Sequence, residues 1–166
     1  AAIKKPASFL YVSDGHPNKM HALLLQAFSM LSTRFPQASL YLTISRQYPA
    51  LLARIDQMQQ AGIKVYNLGW CTREMLAVAY QQHEFFIYPS VMESFGLGLI
   101  EAAQYHLKIL AADLPYTNAV IVPSAVFNPN EVASMVACMQ QALEEPLPPA
   151  VLHIQSCVQS MLVRLQ

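Results

Sequence analysis

Charge is scarce in this sequence, and what there is cancels. Only 12% of its 166 residues are charged, ten acidic and ten basic. Without a basic excess there is no electrostatic footprint for DNA, RNA or an anionic membrane surface. Long apolar runs are missing too: 54% of residues are hydrophobic, yet no stretch approaches the ~20 consecutive apolar residues that cross a bilayer. Cysteine is sparse and odd in number. Cys71, Cys138 and Cys157 stand far apart, without the CxxC or Cys/His spacing of a zinc site, so free thiols in a reducing compartment are expected. The N-terminal residues lack the apolar segment and cleavage site of a secretory leader, and the abrupt opening suggests a piece cut from a longer chain. Internal repeats and low-complexity tracts are absent. So many apolar residues on so few charges predict a face packed against a partner domain, or a parallel sheet buried on both sides.

What is present is alternation. Short β-rich runs at residues 8–12, 38–44, 63–67, 85–88 and 108–112, with 119–122 as a sixth, are separated by segments of helical period at 19–34, 49–61, 72–82, 97–105 and 130–143. Leu23, Leu24, Ala27, Phe28 and Leu31 form the apolar face of the first helix. Val132, Met135, Val136, Met139 and Leu143 do the same for 130–143. Thr72 is placed to cap the third helix. Pro146, Pro148 and Pro149 mark a break before a last helix over 150–165. Strands alternating with helices pair in parallel through right-handed crossovers, so the expected class is α/β: a Rossmann-like, doubly wound parallel sheet. Residues 1–145 form its body; 146–166 are the proline break and C-terminal helix of the same domain. Ligands of such sheets bind beyond the strand C-termini, so chemistry is expected just after strands.

The richest such segment follows the fourth strand: Glu93-Ser94-Phe95-Gly96-Leu97-Gly98-Leu99-Ile100-Glu101. A glycine-bearing loop enters a helix whose free N–H groups and dipole favour an anion. Gly96 and Gly98 let a ligand approach the backbone. Glu93 and Glu101 offer carboxylates to sugar hydroxyls. On residues alone this is an anion-and-diol site in one reading and an ordinary strand-to-helix turn with solvated glutamates in the other.

ESFGLGLIE resembles the E-x7-E signature of family 4 glycosyltransferases, and its neighbours resemble the same family in the right order. FLYVSDGHPNKMHALLLQAFSML is similar to the family's first strand, phosphate loop and first helix. IKVYNLGWCTREMLAVAYQQHEFFIYPS is similar to its base-pocket run, and AADLPYTNAVIVPSAVFNPNEVASMVACMQQAL to the segment after the signature. The likeness spans roughly residues 7–145, all within the family's C-terminal domain; it implies one half of a GT-B fold, with residues 1–145 as a nucleotide-sugar-binding domain.

The resemblance implies roles residue by residue. Glu93 would contact the donor sugar, and Ser94, Phe95, Gly96 and Leu97 would hold sugar and phosphate through their amides. Glu101 would bind the ribose. Lys19 would neutralise the diphosphate from the loop that also contains Gly15, its cation serving the charge that develops on the leaving group. Glu93 and Lys19 are thus the catalytic candidates. Leu68, Gly69, Trp70 and Cys71 occupy the base-contact loop. No metal or other cofactor is expected beyond the UDP- or GDP-sugar substrate. The chain departs from the family in two places. Asp14 stands where an arginine is usual, five residues before Lys19, and His106 and Lys108 replace a glycine and a proline.

The implied function is a retaining hexosyltransferase of polysaccharide biosynthesis. It would move a hexose from a UDP- or GDP-sugar to a glycan or lipid-linked acceptor. Its partners would be the nucleotide-sugar donor and an N-terminal acceptor domain of the same polypeptide, without which the chain would be inactive. The implied setting is the cytoplasm, at the inner face of the membrane through that missing half. The alternative is a catalytically degenerate nucleotide-binding or interaction module, for which Asp14 speaks; a double-Rossmann sugar-nucleotide epimerase ranks third.

Overall fold

The computed structural model describes residues 3–153. Its chain runs β1 (Lys5–Tyr11), α1 (His21–Arg34), β2 (Ser39–Leu42), α2 (Pro49–Gln60), β3 (Val65–Asn67), α3 (Arg73–Gln82) and β4 (His83–Tyr88). It continues as α4 (Leu97–Gln104), β5 (Lys108–Ala112), α5 (Pro115–Val120), β6 (Ile121–Val122), β7 (Ala125–Phe127), α6 (Val132–Glu144) and β8 (Val151–Leu152). Six strands form one sheet in the order β3-β2-β1-β4-β5-β7, every pair parallel. Right-handed crossovers put α1 and α2 on one face and α3 and α4 on the other. α6 returns to pack on α1. This is the doubly wound sheet that the alternation of patterns predicts.

Burial on both faces explains the apolar fraction. Phe9, Leu10 and Tyr11 of β1, Phe85, Phe86 and Ile87 of β4, and Ile109 to Ala112 of β5 are buried without the in–out alternation of a one-sided sheet. Phe9 stacks on Phe85 at 5.0 Å between ring centroids and meets Phe28 of α1 edge-on. Removing each such ring from water is worth roughly 1.5–3 kcal/mol. The buried face of α1 is His21, Leu24, Leu25, Ala27, Phe28 and Leu31. Leu25 thus takes the central place that the sequence pattern gives to Leu23, which is only partly buried at the margin. Thr72 caps α3 as expected, its hydroxyl accepting from Met75 N at 3.2 Å.

Two predicted elements are corrected. Ala119 and Val120 end α5, and Ile121–Val122 leaves the main sheet for an antiparallel pair with Val151–Leu152. The sixth strand of the main sheet is β7, Ala125–Phe127, which follows a bend at Pro123-Ser124 and pairs with β5. The helix expected from residue 150 does not begin there, because Val151 and Leu152 are extended and paired; residues 154–165 of that prediction lie outside the described part. The proline break itself packs back on the body, with Leu147 against the core and Ala150 N donating to Leu107 O. Among the described residues no helix is long and apolar enough to cross a membrane.

Candidate functional site

The sheet order reverses between β1 and β4. Their C-terminal loops, residues 12–20 and 89–96, therefore lie where such sheets bind their ligands. Asn18 ties the two loops together. Its carbonyl accepts from Val91 N (3.0 Å) and Ser90 Oγ (3.4 Å), and its Nδ2 donates to Met92 O at 3.1 Å. The Tyr11 hydroxyl donates to Lys19 O from below, and the Tyr116 hydroxyl donates to Ser90 O at 2.6 Å. His16 serves the turn, hydrogen-bonding through Nδ1 to Asn18 Oδ1. These ties bring Lys19 to Glu93: the ammonium donates to Oε1 and forms an ion pair across 74 residues of sequence.

That pair stands on an aromatic floor of Tyr11, Tyr88 and Tyr116. Burial would raise the Glu93 carboxyl, but Lys19, Ser90 and Tyr88 together hold it below the usual carboxylate range. The floor responds in the opposite sense. Burial, with Glu93 nearby, raises Tyr11 and Tyr88 far above an ordinary phenol and pushes Tyr116 up to about 12. Beside Tyr11 lies His21, stacked at 4.8 Å, buried, with neither ring nitrogen hydrogen-bonded. Burial draws it down to about 4, against the pull of Asp14 and with the push of Lys19.

The glycine loop enters α4 through Gly96, whose φ of +62° makes it the left-handed residue before the helix. Leu99 and Ile100 donate back to Gly96 O. The amides of Leu97 and Gly98, in the first turn, precede any helical acceptor. Gly98 lies against Tyr88: a Cβ there would sit 3.0 Å from Cε2 of that ring. Ser94 is exposed, and Phe95 and Leu97 stand out from the surface at 74% and 64% exposure. Met92 and Trp70, also on segments that follow strands, are exposed apolar side chains as well. Further into α4, Glu101 accepts from the Tyr80 hydroxyl of α3 at 3.0 Å.

A cleft of about 320 Å³ opens at the C-terminal ends of β1 and β2, lined by Asp14, Thr43, Ser45, Trp70 and Cys71 among others. Gly69 turns its loop in the left-handed region at φ +71°, and the Cys71 thiol donates to Gly69 O at 3.5 Å. Asn67 fixes this loop to the one after β2, accepting from Ile44 N and donating to Ile44 O. Asp14 is held by Ser45 Oγ at 3.3 Å, Tyr48 OH at 3.2 Å and the N–H of Gly15 at 2.9 Å. Among the described residues no group of three or more His, Cys, Asp or Glu is placed to hold a metal ion. Cys71 and Cys138 are free thiols; Cys157 is outside the described part.

Residues 1–155 match the family described as Glycosyl transferases group 1. The chain belongs to that family. Among curated proteins it is 30% identical over 147 residues to the serotype-specific mannosyltransferase WbdA of Escherichia coli, covering 87% of this chain and 18% of that protein. It is 25% identical over 148 residues to the O-antigen chain mannosyltransferase B of Escherichia coli, covering 82% and 36%. The chain thus spans about a fifth of the length of the first of these. Among solved structures it resembles the pneumococcal O-GlcNAc transferase GtfA in complex with UDP and GlcNAc (TM-score 0.74, 21% identity, 86% of this chain and 30% of that one). It also resembles a UDP-forming trehalose-phosphate synthase from Burkholderia xenovorans (TM-score 0.74, 15% identity, 86% and 37%). At such identities these two establish the fold, the Rossmann-like half of a GT-B architecture.

For a group 1 glycosyltransferase chain the site is brought together in part. Lys19 and Glu93 meet at the switch point; Trp70 and Cys71 border the neighbouring cleft, and Gly69 turns the loop that carries them. Gly15 does not offer its amide to that space, because the amide is already donated to Asp14. Sequence reasoning treated Lys19 and Glu93 as separate contacts and missed their pairing. It also missed Asn18, Asn67 and Tyr80, whose roles are long-range hydrogen bonds. An asparagine directly before Lys19 and another closing β3 were the only signals.

Proposed function

We propose that this chain is the donor-binding half of a retaining hexosyltransferase that takes a UDP- or GDP-activated hexose to a glycan or lipid-linked acceptor. The acceptor would be held mainly by an N-terminal domain of the same polypeptide. The mannosyltransferase relatives favour mannose as the hexose. One observation carries the reading: a cation and a carboxylate pair at the switch point of the sheet, and the loop that carries the carboxylate leads into a helix start.

In this reading Lys19 and the amides of Leu97 and Gly98 take the charge that grows on the departing diphosphate, where fixed donors need no reorganisation. Glu93 accepts from hydroxyls of the sugar ring. Glu101, steadied by Tyr80, receives the ribose hydroxyls, and the base enters the cleft beside Trp70. The acceptor attacks from the face that the diphosphate leaves. This assigns neutralisation of the leaving group to Lys19 and the amides without a metal.

Titrating UDP, GDP and their hexose derivatives into the chain by calorimetry tests the donor half. Saturable binding of one nucleotide, with its sugar derivative competing, is expected; no binding of either would overturn the reading. Asp14 favours a second one, a nucleotide-binding module without transfer, because its carboxylate replaces a cation in the phosphate loop. Turnover by the full-length protein separates the two.

A further inference from the structure

Resting on that reading, we infer that the Lys19–Glu93 ion pair selects the sugar-bearing donor over the bare nucleoside diphosphate. Residues 12–20 contain one basic side chain, Lys19, and one acidic one, Asp14. Opposite Lys19 stands Glu93. The immediate charge is therefore one cation against two carboxylates, and Glu93 is the acidic partner that Lys19 has among the described residues. Both side chains are largely withdrawn from water, at 22% and 13% exposure. A diphosphate that takes Lys19 must draw it away from Glu93. It then leaves a carboxylate with little water around it and an anion beside it.

The two ligands differ in what they give back. A nucleotide sugar brings hydroxyls, which donate to the freed carboxylate where Lys19 did. Its diphosphate is esterified at both ends. A bare nucleoside diphosphate brings no donor for Glu93, and its terminal phosphate carries about one further negative charge near neutral pH, as a phosphate second ionisation near 6 implies. The pair therefore penalises the bare diphosphate and spares the donor. After transfer the sugar is gone, Lys19 is drawn back to Glu93, and the spent nucleotide is released.

The test is calorimetric titration of UDP, GDP, UDP-glucose, GDP-mannose and the free nucleosides against the chain and its Glu93→Gln variant. The variant keeps the shape and removes the charge. Affinity for the bare diphosphate should rise about three- to tenfold, affinity for its hexose derivative should fall, and the nucleoside should bind unchanged. A merely structural Glu93 would weaken all three together. An unchanged or weakened diphosphate in a variant with native circular dichroism overturns the inference while leaving the donor site standing. Failure of the unmutated chain to bind any nucleotide overturns the donor-site reading, and the inference with it. If Glu93→Gln does not fold, Glu93→Ser carries the same comparison.

Discussion

The Tyr80 hydroxyl of α3 donates to Glu101 Oε2 of α4 at 3.0 Å, so the carboxylate assigned to the ribose is aimed by a neighbouring helix. A carboxylate can accept from both ribose hydroxyls, whereas an amide loses its charge and one acceptor. Glu101→Gln should therefore weaken binding of the ribonucleotide and affect its 2′-deoxy analogue less. Tyr80→Phe should give the same discrimination at smaller size, about two- to tenfold, as expected for one hydrogen bond of about 0.5–1.5 kcal/mol. Equal losses for both analogues in calorimetry would show that Glu101 does not meet the ribose.

Lys19→Ala should lower affinity for the nucleoside diphosphate roughly ten- to a hundredfold and leave the nucleoside unaffected. Charge-assisted contacts are worth about 1.5–3 kcal/mol, and only the diphosphate carries the partner charge. A parallel loss for the nucleoside would mean that Lys19 acts by holding the two loops.

Asp14→Arg restores a cation to the loop but breaks the contacts with Ser45 and Tyr48. Nucleoside diphosphate affinity should rise about tenfold, as reversal of a nearby charge predicts, with a modest loss of thermal stability. Weaker binding in a folded protein would show that the Asp14 network shapes the site rather than depleting it of charge.

Gly96→Ala should destabilise the fold by about 1–2 kcal/mol, the cost of a left-handed alanine. Space is not the cause: its Cβ would meet Val120 no closer than 3.4 Å, while φ is +62°. A urea midpoint equal to that of the unmutated chain would mean that the loop relaxes to another conformation.

Acid should unfold this protein early. Burial holds both His21 and His83 at about 4, below the ordinary 6.5. Asp14 and Lys19 face the first, and Lys5 faces the second. A depressed folded value means that the unfolded chain binds protons first as pH falls. The stabilisation is complete above about pH 6.5 and is lost on the way to pH 4, on the order of 2–3 kcal/mol for each ring. Urea midpoints should fall between pH 7 and 5, before Glu93 begins to protonate. Replacing His21 by Phe should remove part of that slope; an unaltered slope would exclude His21 as a source.

Much of the fold was legible because period is a local property. β1 to β5 and the helices from α1 to α4 announce themselves through apolar spacing in and around them, and α6 does so through Met135, Val136 and Met139. The element missed between β5 and α6 had no such signal. Residues 115–127 hold a six-residue helix, a two-residue strand and a three-residue strand in succession, so no one period runs through the segment, whereas the equally short β3 sits in a β-rich run that follows a glycine. What decides that Ile121 leaves the sheet while Ala125 joins it is the register of neighbours, Leu110 against Ala125 and Leu152 against Ile121.

The site divides along the same line. Its ingredients are local: Lys19 after the first strand, a glycine loop after the fourth, and two glutamates eight positions apart around a helix start. Those follow from residue types and from the rule that parallel sheets bind at strand C-termini. It took the folded chain to show that Lys19 and Glu93 hold each other, that Gly15 gives its amide to Asp14, and that Tyr80 aims Glu101. Each of these is a contact between segments 21 to 74 residues apart or a choice among competing hydrogen-bond acceptors. Such choices are settled by which loops the strand order sets side by side, and no local pattern encodes that.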